Sequence, residues 1–125
     1  MTDLSIFDLE SRAESGFTVH ITHPASGKKT GLSVNVVGVD SKTYADAQKQ
    51  MLAELKDDDA DKEAAGIRLL AKCTRDWSGF EEDGKELKFS VKEAEQVYSK
   101  YKGIREQVDR GMAQRSRLFS ESKEG

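Results

Sequence analysis

The sequence has little of what catalytic or metal chemistry needs. One cysteine among 125 residues excludes an intramolecular disulfide. Neither a C-x-x-C pair nor a Cys/His cluster offers metal-ligand spacing. A reducing compartment is expected. No run approaches the roughly 18 apolar residues of a membrane span, so no membrane partner is expected. The opening Met-Thr-Asp-Leu-Ser-Ile-Phe-Asp-Leu-Glu has no basic stretch followed by an apolar one and does not read as a signal peptide. Only two histidines occur, and in an extended chain the spacing of His20 and His23 puts them on opposite faces. His23 also opens a turn at the single proline, so a shared catalytic or metal role is not expected. Cys73 sits in a helical stretch with no histidine nearby in sequence and reads as a small buried hydrophobe. Asp57-Asp58-Asp59-Ala60-Asp61 begins like a calcium loop but lacks the glycine and glutamate that such a loop needs further on. Ser26-Gly27-Lys28 lacks Walker spacing, and Gly79 to Gly84 lacks the strand-turn-helix grammar of a dinucleotide site. The chain does not read as an enzyme, and no catalytic residue, metal ligand or cofactor is expected.

What is present describes a charged α+β protein. The length suits a single domain with one core. Charged residues make up 34% and apolar ones 36%, which implies a modest core under a heavily solvated surface. The net charge of −3 counts against a dedicated nucleic-acid binder. Charge is nevertheless uneven. Glu54, Asp57, Asp58, Asp59, Asp61 and Glu63 face only Lys56 and Lys62 between residues 54 and 63. From residue 100 onward seven Lys/Arg stand against four acids. Solvated faces account for both.

Residues 1–15 read as an N-terminal arm or short helix, residues 16–119 as one α+β domain, and residues 120–125 as a polar tail. Phe17, Val19 and Ile21 alternate with Thr18, His20 and Thr22, the period of a strand with one buried face. The His23 to Lys28 stretch supplies a reversing loop, and Leu32, Val34 and Val36 resume the alternation. The pair predicts a β-hairpin, which must rest on helices to be stable. Asp40-Ser41 marks a helix start, followed by the stripe Tyr44, Ala47 or Gln48, Met51, Leu52 and Leu55. Asp58 to Asp61 can cap a second helix whose inner face runs through Ala60, Ala64, Ile67 and Leu70 or Ala71 to Thr74. Ser90-Val-Lys-Glu93 has capping-box form, with Val91, Ala94, Val97, Tyr98 and Tyr101 inward and Gly103 as C-terminal cap near Lys102. Ile104, Val108, Met112 and then Leu118 or Phe119 define a last amphipathic helix, whose narrow stripe reads as half core and half candidate docking surface for a partner. The expected fold is a hairpin packed on about four amphipathic helices.

Between the second and third helices lies the structural hub, from Cys73 to Ser90. It combines turn residues with the large anchors Trp77, Phe80, Leu87 and Phe89. Asp83-Gly84 suits a tight turn with positive φ that folds Phe80 back beside Phe89, with Trp77 pinned beneath. Trp77→Ala is therefore expected to unfold the hub. Partner-binding candidates are read from the amphipathicity of the last helix: Ile104, Val108, Met112, Arg115 and Phe119. On that reading Met112→Asp weakens binding and leaves the fold intact.

The order of these landmarks resembles the tail assembly chaperone family of long-tailed, siphovirus-type bacteriophages. The landmarks are Phe17 to Ile21, His23-Pro24-Ala-Ser-Gly-Lys, Gly38-Val39-Asp40-Ser41, Trp77-Ser-Gly-Phe, and Asp83-Gly84-Lys-Glu-Leu-Lys-Phe-Ser before a closing helical pair. The resemblance implies a protein of the host cytoplasm, absent from the finished virion, that binds the tape measure protein, keeps it soluble and recruits major tail protein for tube polymerisation. It also implies a longer form of the same chain made by ribosomal frameshifting. Homo-oligomer and monomer are equally compatible with the stripes. A structural virion component, such as a tail-completion or head-tail connector protein, is the alternative reading. A nucleic-acid-binding regulator using Lys100, Lys102, Arg105, Arg110, Arg115 and Arg117 is opposed by the net acidity.

Overall fold

In the computed structural model, which describes residues 2–114, the alternating segments form the predicted hairpin. Strand β1 (Phe17–Thr22) pairs antiparallel with β2 (Lys29–Val36), placing Val19 opposite Val34. The loop between them closes with the His23 N–H donating to the Lys28 carbonyl at 2.7 Å and the Gly27 N–H to the His23 carbonyl at 2.8 Å. Phe17, Val19, Ile21, Val34 and Val36 are buried, as a period of two demands of a sheet with one covered face.

A third strand, β3 (Thr74–Ser78), extends the sheet in the order β1-β2-β3, with Trp77 opposite Val34. This corrects the expectation that Thr74 continues the helix, which ends at its C-cap Cys73. The misleading signal has a physical origin in the register. Asn35 faces Asp76 and Val36 faces Thr74, so Arg75 is an extra residue in β3. The bulge puts the two inward side chains, Thr74 and Trp77, three residues apart, which imitates helical spacing.

Helices cover the rest. A 3-10 turn (Leu4–Phe7) leads into α1 (Leu9–Ser15); α2 (Lys42–Glu54) and α3 (Lys62–Lys72) follow the hairpin, and α4 (Val91–Lys100) and α5 (Lys102–Ala113) follow the hub. Among the described residues these are the four expected amphipathic helices, α2 to α5, preceded by α1 as the short N-terminal helix. The start signals act as read. Ser41 Oγ accepts from Tyr44 N at 3.0 Å, Asp61 Oδ1 from Ala64 N at 3.1 Å, and Ser90 Oγ from Glu93 N at 3.0 Å. The stop signal at Gly103 does not. Tyr101, at φ −114° and ψ 82°, both ends α4 and precedes α5, so Gly103 falls inside the first turn of α5.

The hub closes as a second, two-stranded hairpin of β4 (Glu81–Glu82) and β5 (Lys85–Glu86). Its turn residues Asp83 and Gly84 both have positive φ, 54° and 78°, the geometry that matches strand twist in two-residue hairpins. Phe80 stacks on Trp77 with ring centres 4.5 Å apart, and Phe89 meets the tryptophan edge-on at 5.2 Å. The indole N–H donates to the Leu87 carbonyl at 2.8 Å.

One core joins these elements. Helix α3 packs between α2 and α4, and α5 lies across β1. Tyr98 is fully buried, its hydroxyl 2.8 Å from Thr74 Oγ1, which in turn donates to the Leu70 carbonyl at 2.9 Å.

Candidate functional site

Helix α5 was expected to be half core and half docking surface, and the structure gives Val108 and Met112 to the core, which corrects their reading as partner-binding residues. Ile104 is half-buried against that core. Arg115 and Phe119 lie outside the described residues. The reason for the inward orientation is Gly111. A Cβ built there would come within 2.7 Å of a Val19 methyl, so the glycine lets α5 settle directly on β1. Met112→Asp would therefore put a carboxylate into the core, and cannot serve as a probe of binding on an intact fold.

Ile104 does belong to a surface feature. Where α4 gives way to α5, a groove of about 460 Å³ opens against the turn end of the β1-β2 hairpin. Ile21, Leu32 and Ile104 supply apolar lining, Pro24 and Tyr101 flank them, and Lys100 and Lys102 are its charged residues. Gln107 fixes one side. Its Oε1 accepts from Thr22 N at 2.9 Å and its Nε2 donates to the Thr22 carbonyl at 2.9 Å. The side-chain amide thus takes the place of a neighbouring strand at the end of β1 and ties α5 to the sheet edge.

The hub ties the helix break through Glu82, whose carboxylate accepts from Lys100 Nζ at 2.9 Å and from the Tyr101 hydroxyl. These two donors, Tyr101 first, hold the Glu82 carboxyl below its ordinary range. The groove is consequently a built junction of hairpin, helix break and hub. A smaller cleft of about 230 Å³ separates α3 from α5 on the other side of α5, bridged by Arg105 Nη1 and Glu63 Oε1 at 3.0 Å.

Reactive groups lie elsewhere or are muted. Cys73 is buried, and burial pushes its thiol up to about 12. Burial also pushes the Tyr98 hydroxyl up to about 12. His20 and His23 are exposed, and His23 Nδ1 accepts from Ala25 N at 3.2 Å within the loop. Among the described residues no group of three or more His, Cys, Asp or Glu could hold a metal ion, and no helix is long and apolar enough to cross a membrane.

Of the residues that frame the groove, only Ile104 was singled out from the sequence as partner-binding. Tyr101 was placed on an inward helix face but is exposed at the groove mouth. Thr22 and Gln107 are 85 residues apart, and nothing local in either segment announces their contact. Comparison of the chain with profiles of protein families, with curated proteins and with solved structures finds no match.

Proposed function

We propose that this chain is a tail assembly chaperone of long-tailed bacteriophages, acting in the host cytoplasm as a carrier rather than an enzyme. It binds the tape measure protein, keeps it soluble, and recruits major tail protein for tube polymerisation. The observation that carries the reading is the groove at the α4-α5 break, which is apolar in its lining and bordered by lysines. Such a surface suits an amphipathic client segment: its apolar side chains leave water, while the surrounding charge keeps the carrier soluble and discourages nonspecific contacts. The ordered landmarks that resemble the chaperone family agree with it. The binding role passes from the buried part of the α5 stripe to Ile104 and its groove neighbours.

Co-expression with the tape measure protein encoded nearest to this chain is the test. The expected outcome is that the tape measure protein becomes soluble and co-purifies, and that Ile104→Asp reduces the yield of the pair. An insoluble tape measure protein, together with this chain recovered from purified particles, would instead establish the virion-component reading.

A further inference from the structure

The groove lies at the start of α5, not at its end. Gln107 bonds Thr22 and a Cβ on Gly111 would meet Val19, so α5 runs back along β1, with its first turn at the loop end of the hairpin and its last turn beside Val19. Helix α5 ends at Ala113, and its C-cap Gln114, at φ −81° and ψ 86°, has left the helical path. Leu118 and Phe119 therefore come after a change of direction. Chain length fits a return. From Gln114 back to Ile104 is ten helical positions, about 15 Å at the helical rise. The five residues from Gln114 to Phe119 span about 17 Å when extended. Phe119 can thus stand over Ile104, and Glu121, two residues on, over Lys102.

The groove suits what would arrive. Ile21, Leu32 and Ile104 offer an apolar lining to Leu118 and Phe119. Lys100 is already engaged by Glu82 and adds no free charge. What remains is the start of α5, which has Lys102, no side-chain cap and no acid in its first turn, whereas Ser41, Asp61 and Ser90 cap α2, α3 and α4. A carboxylate from Glu121 would supply the missing acid there. We infer that Leu118, Phe119 and Glu121 of this chain's own C-terminal segment fold back along α5 and occupy the groove at the α4-α5 break. A segment tethered through a few residues is present at about millimolar effective concentration, so a weak contact is enough to cover the lining. The contact lies within one molecule and needs no second copy. Its consequence, that a client must displace the segment, rests on the proposed function.

The experiment is a paramagnetic label on the full chain. Ser122→Cys carries a nitroxide, while Cys73, buried with its thiol pushed up to about 12, stays unmodified. In the amide correlation spectrum the signals of Gly103, Ile104 and Thr30 are expected to lose most of their intensity, to the same extent at every protein concentration. Leu118→Asp combined with Phe119→Asp restores those signals and leaves the amide pattern of the β-sheet unchanged. Broadening confined to the residues around Gln114 and the start of β1 overturns the inference, as does groove broadening that survives the double substitution. Broadening that fades on dilution overturns it too, by assigning the contact to a second molecule. If the tape measure protein stays insoluble while the groove amides are broadened, the client reading fails and this contact stands.

Discussion

Trp77 meets the rest of the molecule in three ways: a stacked Phe80, an edge-on Phe89, and an indole N–H bonded to the Leu87 carbonyl. Its side chain thus fastens β3 to the hub hairpin. Truncation leaves a cavity under two aromatic rings and an unpartnered carbonyl. Trp77→Ala is expected to lower the unfolding free energy by about 3–5 kcal/mol, measured by urea denaturation. An unchanged midpoint would mean that the ring packing contributes nothing to the fold. The hub was legible in the sequence because its signals are local: large anchors separated by Ser78-Gly79 and Asp83-Gly84 can be read without knowing what lies elsewhere. Met112 was left between core and docking surface for the complementary reason. Its stripe is amphipathic whether it meets a partner or the protein's own sheet, and only Gly111, which the sequence shows merely as a poor helix former, carries the information that the sheet is that close.

At the scale of the element, two helix-interior glycines separate propensity from packing. Alanine is favoured over glycine in a helix by about 1 kcal/mol. At Gly66 in α3 an added Cβ meets nothing within 4 Å, so Gly66→Ala is expected to stabilise the protein by about 0.5–1 kcal/mol. At Gly111 in α5 the same Cβ meets both methyls of buried Val19, at 2.7 and 2.9 Å. A β-branched side chain held in a strand cannot swing away, so the helix must lift from β1. Gly111→Ala is expected to destabilise by about 1–3 kcal/mol despite its better propensity, the range for an overfilled core. Thermal unfolding of the two variants should move in opposite directions, and equal shifts would show that α5 does not rest on β1. The elements themselves were legible unequally. β1 and β2 alternate cleanly and α2 to α4 begin at side-chain caps, whereas β3 follows α3 without punctuation and its bulge at Arg75 erases the period of two.

Across the whole molecule, one carboxylate joins three elements that are remote in sequence. Glu14, in α1, accepts from Thr43 N at 3.0 Å and from the Thr43 hydroxyl, satisfying a free N–H in the first turn of α2, and it also binds Arg75 of β3. Like the groove, this junction was not legible. Glu14 looks like any surface acid until the chain folds, because its partners lie 29 and 61 residues away. The Thr43 hydrogen bonds, with Arg75 adding to them, hold its carboxyl below the ordinary value of 4.5. The sign follows from linkage. A carboxyl that is more acidic in the folded than in the unfolded chain stabilises the fold above its unfolded value, and that contribution disappears as pH falls through the folded one. Glu14→Gln should therefore be less stable than wild type at neutral pH by about 1 kcal/mol, the size of a charged hydrogen bond discounted for a side chain still partly in water. As the pH drops below 4.5 the wild-type protein should lose stability more steeply, and the two curves should converge. Parallel curves down to the acid limit would show that Glu14 titrates alike in both states and that α1, α2 and β3 are held together by other contacts.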